Sequence, residues 1–323
     1  MIFNCAKNKF KIRIIDESML GEIMAEYLSH QHAVNSIRLI YEHQGFQLVD
    51  SVPGSHVEKE LGVDTRDTPL AALYAFVDEY VVLLRCQSIY FLSSDHKNNP
   101  SAMIFYRLSI RQLRTLTSIR VLCSYGLDAN ARLQLRLFYE TAQLWVRFRI
   151  DQDILIDYTA CTTPEAANKF WHRYLSKDKT ERYLRQQMKE GGLSWIGGME
   201  DQINDLKQKL SLVAHPTLIA DYHETLADWN GQPEASVITK PLNSSYFTLS
   251  KAIFVTAMPF SIFPEPPYNL GSISLRKGDA GWNPIPHPTE SWEDYNQRLR
   301  NMFPSLFLMA MRFFEEFDKA DIG

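Results

Sequence analysis

The stretch R120-VLCSYGLDANARLQLRLFYETAQLWVRF-R149-I150 decides the fold class. Apolar residues recur on both sides of Gly126 at helical spacing, and glycine is the residue best suited to end one helix and let the next begin. Residues 101–125 therefore form one predicted helix and 128–150 another, with Asp128 as its expected N-cap. So few residues join them that they must pack as an antiparallel hairpin.

Working outward, the same pattern repeats. Upstream, the apolar run PLAALYAFVDEYVVLLRCQSIYFL begins after Thr68 as cap and Pro69 as first helical residue. It carries Asp78, Glu79 and Arg85 near its middle, which a membrane span would not tolerate, so it is expected to be a core helix. Before it, a short strand is expected where Phe10, Ile12 and Ile14 alternate. A helix follows from Asp16, with Leu20, Ile23, Met24, Tyr27, Leu28, Val34, Ile37 and Tyr41 on its apolar stripe. Downstream, Thr163 and Pro164 start a helix that ends at Gly191 and Gly192. Two more are expected over about 199–214 and 216–229, and another ends at Pro259. Residues 259–288 hold seven of the fifteen prolines, too many for a helix and too long a run for a plain connector. The last helix starts near Ser291 and is expected to bend at Pro304. The predicted fold is all-α: a multi-helix bundle with a proline-rich loop before the last helix. Residues 1–67 add a helix and extension to a bundle domain over 68–323.

Composition bounds the function. Apolar residues make up 45% and charged residues 22% of 323, a globular profile. Four cysteines lie far apart without a CxxC pair, which fits a reducing cytoplasm and neither a zinc site nor a disulfide framework. The net charge of -4 gives no overall pull toward nucleic acid or a membrane surface. No Walker loop and no GxGxxG follows a strand, so no cofactor is expected. HPTLIADYHE offers His215, Asp221, His223 and Glu224 without the HExxH spacing, and no metal site is expected there.

The average charge hides a local excess. Residues 100–150 contain eight arginines, no lysine, and only Asp128 and Glu140 in opposition. Arginine without lysine matters because a guanidinium fork grips a carboxylate or phosphate with two parallel bonds. Arg132, Arg136, Glu140, Gln143 and Arg147 fall within an arc of about 80° on their helix. Arg107, Arg111 and Arg114 share an arc on the preceding one. In an antiparallel hairpin Arg114 lies near the level of Glu140. Two readings stand side by side. The stripe is a solvent face with Arg136 and Glu140 as an ordinary (i, i+4) pair, or it lines a cleft between helices and takes an anionic guest.

A second motif, KLSLVAHPT at 209–217, places Ser211 and His215 on one helical face, with Pro216 disfavouring helical geometry at the histidine, which is expected at the helix end or at a kink. His215 either bonds its local backbone or projects into a cleft as an acid, base or ligand contact. No nucleophile elbow accompanies Ser211.

Together, LDANARLQLRLFYETAQLWVRFRID and KLSLVAHPT resemble a group of all-helical bacterial proteins that carry an Arg-x-x-x-Glu helix and a later Ser-x-x-x-His helix end. The resemblance covers about residues 100–230. It implies that Arg136, Glu140, Ser211 and His215 form one constellation after folding. Some such proteins are distantly similar to HEPN domains, many of which are metal-independent ribonucleases with a motif of Arg, four to six residues, then His. RLIYEH, from Arg38 to His43, has that spacing, with Leu39 where a polar residue is common.

The leading expectation is a helical protein binding a small anionic or phosphate-containing ligand, or a partner, through Arg132, Arg136, Arg114, Gln143 and Ser211. The alternative is a phosphodiester-cleaving enzyme in which His215 and Glu140 move protons. A homodimer is compatible with the long apolar helix faces.

Overall fold

The computed structural model describes residues 3–5, 8–10, 30–45, 57, 60–62, 64–66, 68, 70–93, 100–190, 203–211, 245–262 and 292–320. A two-stranded antiparallel hairpin, Phe3–Cys5 (β1) with Asn8–Phe10 (β2), places Phe3 opposite Phe10. It lies earlier than the expected strand, whose Ile12 and Ile14 fall outside the described residues. The rest is helical: α1 His30–His43, α2 Ala71–Ser93, α3 Pro100–Ser124, α4 Asp128–Ile150, α5 Gln152–Thr159, α6 Pro164–Phe170, α7 Lys179–Glu190, α8 over 203–211, α9 Ser245–Ile262 and α10 Trp292–Ala320. The protein is an all-α multi-helix bundle.

The hairpin at Gly126 forms as expected. Gly126 has φ +73°, its N–H donates to the Cys123 carbonyl and the Leu127 N–H to the Leu122 carbonyl. This is the paired closure that ends a helix on a left-handed glycine. α3 lies between α2 and α4, α9 crosses α4, α2 and α3, and α10 packs on α9, α2 and α1. α2 is buried on nearly every side from Ala71 to Leu84, as its all-round apolar sequence requires. One apolar core runs through α1, α2, α3, α4, α9 and α10. A smaller aromatic core holds Phe91, Phe105, Trp145, Phe148 and Phe170, and attaches α5 and α6 to the C-terminal half of α4.

The charges expected to keep α2 out of a membrane are neutralised inside the bundle. Arg120 grips Asp78 through two bonds of 3.0 and 3.1 Å, reaches the Thr65 hydroxyl at 3.2 Å and lies over the Tyr74 ring. Tyr41 donates to Glu79. Among the described residues no helix is long and apolar enough to cross a membrane.

Several local expectations are corrected. Asp128 does not cap α4: Leu127 holds that place, and the buried Asp128 carboxylate instead pairs with Arg132 and accepts from the Thr248 hydroxyl at 2.7 Å. Thr68 does not cap α2 either; its hydroxyl donates to the Thr65 carbonyl at 2.8 Å and the helix begins at Ala71. The helix expected to run from Thr163 to Gly191 is interrupted. Thr163 caps α6, accepting from the Ala166 N–H, but Trp171–Leu175 is a π turn and Ser176–Asp178 a 3₁₀ turn before α7 starts. α5, absent from the sequence reading, is capped by Asp151, whose carboxylate accepts from the Ile154 N–H. Pro259 does not end α9; it sits in the last turn, where a missing N–H removes one bond only, and its carbonyl accepts from Arg149 at 2.9 Å. Pro304 lies within α10. The helix start at Asp16, the predicted helix at 216–229 and most of the proline-rich run fall outside the described residues.

Candidate functional site

The arginine stripe of α4 divides once the bundle is assembled. Arg132 folds back on Asp128 at 2.8 Å, with both side chains about nine-tenths buried, and stacks over Phe247. About one turn on, Arg136 pairs with Glu140 at 3.3 Å, with 50% and 56% of their side chains exposed. Beyond them Gln143 and Arg147 turn inward against the 171–183 segment. The Gln143 amide donates to the Tyr139 hydroxyl at 2.6 Å. Arg147 donates to the Tyr174 carbonyl and the Thr180 hydroxyl, both at 3.2 Å, and lies over the Tyr183 ring.

Between the exposed pair and the interrupted helix lies a cavity of about 380 Å³. Its floor is the α4 face of Arg136, Tyr139, Glu140 and Gln143. One wall is the irregular turn from Trp171 to Glu181, and the other is α8 with Lys207, Leu210 and Ser211. Its size is that of a small-molecule site. The interruption makes it: the π and 3₁₀ turns carry Trp171 and Asp178 on one side of the opening, and Asp178 has φ +58°, unusual for a residue with a side chain.

A hydrogen-bonded chain fixes the inner wall. Tyr139 donates to Glu181 at 3.2 Å, and Glu181 accepts from Lys207 at 3.1 Å and from Arg185 at 2.8 Å. Lys207 also reaches Asp178 at 3.0 Å, which holds the strained turn against α8. Burial and the Glu181 carboxylate both push the Tyr139 hydroxyl far above its ordinary range, so it stays a donor. Burial disfavours the Lys207 charge, but bonds to Asp178 and Glu181 and their field outweigh it and raise its pKa. The ammonium thus occupies the place between two carboxylates that a cation would take. Among the described residues no three His, Cys, Asp or Glu side chains cluster as metal ligands.

Four of the residues singled out in the sequence, Arg136, Glu140, Gln143 and Ser211, line this one cavity. Arg132 and Arg114 do not; Arg114 is exposed on α3. Ser211 is exposed at the end of described α8, and His215 lies outside the described residues. Arg38 is exposed on α1, while the Nε2 of His43 is buried without a hydrogen-bond partner among the described residues. The sequence reading missed Trp171, Asp178, Glu181 and Lys207. Glu181 with Arg185 was visible as an (i, i+4) pair, but no glycine or proline marks the break that brings Trp171 and Asp178 to the cavity.

Comparison with protein-family models, with curated proteins and with solved structures finds no match to this chain.

Proposed function

We propose that this chain is a binding protein whose cavity between α4, the 171–181 turn and α8 takes a small anionic molecule, a carboxylate or phosphate ester with a flat group. The observation that carries this reading is the half-exposed Arg136 at the cavity wall. Glu140 engages only its Nε, and among the described residues the two Nη groups have no partner. A guanidinium fork with its outer edge open is suited to a carboxylate or phosphate through two parallel bonds. Trp171, 48% exposed on the opposite wall, offers a face for a ring. The remaining wall charges are satisfied among themselves: Lys207 by Asp178 and Glu181, and Glu181 also by Arg185. Glu140 leaves one carboxylate oxygen for a donor on the guest, which favours a molecule bearing both an acid and an N–H or O–H group.

The test is calorimetric titration and thermal shift with inorganic phosphate, phosphoserine, glutamate and nucleoside monophosphates. At least one probe is expected to bind and to raise the melting temperature. Arg136→Gln is expected to weaken that binding about 10- to 100-fold, the loss of a charged hydrogen-bonded contact. It should leave stability nearly unchanged, because an exposed (i, i+4) pair contributes only about 0.3–0.5 kcal/mol. Equal binding by wild type and Arg136→Gln, or none by either, defeats the proposal.

A further inference from the structure

A second set of arginines lies outside the cavity. Arg107, Arg111 and Arg114 are all exposed on the outer face of α3. The helix carries four arginines and no Asp, Glu or Lys. Its fourth arginine, Arg120, is consumed by Asp78 in the core. Elsewhere Arg66, Arg132, Arg136, Arg173 and Arg185 each meet a carboxylate. Among the described residues no ion pair or hydrogen bond engages the three on the α3 face.

We infer that this face is a docking surface for duplex nucleic acid, gripped through its phosphates and not its bases. Charge complementarity is the first argument. Three uncompensated guanidinium groups span seven residues, about 10 Å of helix axis, which is about three phosphate steps along one strand of a duplex. The absence of an apolar anchor is the second. The exposed large hydrophobic residues of the described chain are Tyr125, Leu133, Ile156, Trp171 and Leu308, and none lies within the 107–114 stretch. A protein partner needs a desolvated apolar centre, and a single strand needs aromatic platforms for its bases. A phosphate backbone needs neither. The hydroxyls of Thr115, Thr117 and Ser118 are not available as readers, since they donate to the carbonyls of Arg111, Leu113 and Arg114. The net charge of -4 opposes association at long range, but at 0.1 M salt it is screened beyond about 10 Å, and the patch acts at contact. None of the three arginines lines the cavity, so this inference stands or falls separately from the ligand proposed there.

The experiment is fluorescence anisotropy of the full chain with a short labelled duplex, titrated upward in salt from about 50 mM. Wild type is expected to bind without sequence preference, with log K falling against log salt at a slope of about -2 to -3, as three phosphate contacts require. Arg107→Gln/Arg111→Gln/Arg114→Gln is expected to melt like wild type, since the three side chains are exposed and no ion pair or hydrogen bond among the described residues holds them, and to lose at least about tenfold in affinity and most of the salt slope. The triple Lys variant keeps the slope. Absence of binding at low salt, or undiminished binding by the Gln variant, overturns the inference. So does tighter binding of a single strand than of the duplex. Salt-sensitive self-association that disappears in the Gln variant while the duplex is ignored would assign the face to a second copy of the chain, and would equally overturn it.

Discussion

Glu79 is the side chain whose surroundings oppose it most directly. Burial pushes its carboxyl up to about 8; the bond from Tyr41 works against the shift and the neighbouring Asp78 adds to it. Its Oε2 has no partner, as expected for a group kept neutral in the core. The sign follows from where the proton sits. The native state holds it up to about pH 8, whereas the unfolded chain releases it above the ordinary value of 4.5. The contribution to stability is whole below pH 4.5, falls as pH rises toward 8 by at most about 1.4 kcal/mol per unit, and is flat beyond. Urea unfolding across that window should show wild type losing stability relative to Glu79→Gln as pH rises; parallel profiles would mean that Glu79 is ionised in the fold. That α2 is a core helix carrying Asp78 and Glu79 was legible in the sequence, but the partners of those charges were not. Tyr41 lies 38 positions from Glu79 and Arg120 lies 42 from Asp78, and each pair meets only when helices dock. The Arg136 and Glu140 pair was legible because four residues on one helix suffice to make it.

At the scale of elements, the α3–α4 hairpin is the part of the fold that local chemistry dictates most fully. Gly126 sits at φ +73°, where a side chain is strained, so Gly126→Ala should cost about 1–2 kcal/mol, read as a lowered denaturant midpoint with unchanged slope. An unchanged midpoint would show that the closure tolerates a side chain. Caps were only half legible for a related reason. Thr163 before Pro164 does what its position suggests, but Asp128, after an apolar residue at a buried helix start, finds Arg132 and Thr248 instead of its own backbone. Local signals give the options, and tertiary partners choose between them. The interruption after Phe170 shows the limit, since "FWHRYLSKDK" is sound helical sequence throughout. Contacts made by Arg147 with the Tyr174 carbonyl and by Lys207 with Asp178 hold it open.

Over the whole molecule, the first and last described helices belong to one core. Phe303, Leu306 and Met309 of α10 are buried with Val34, Ile37 and Tyr41 of α1, Tyr80 donates to the Phe303 carbonyl at 2.6 Å, and Arg298 reaches the Gln44 carbonyl. Removing residues from 292 onward should therefore abolish the cooperative melting transition and not merely lower it, since α2 and α9 lose their cover. Retention of a sharp transition in circular dichroism would show that the remaining helices form a unit of their own. The all-α class was legible because helical periodicity runs through most of the chain. The cavity was not, because its wall is made where that periodicity is broken. A π turn spends more residues per revolution than an α-helix, so the chain leaves it out of phase with the helix that entered. One residue fewer between Phe170 and Lys179 would turn the following side chains by about 100°. Such a chain would keep the bundle and lose the hollow: in this architecture an insertion or deletion of a single codon is enough to gain or erase a cavity without disturbing the scaffold.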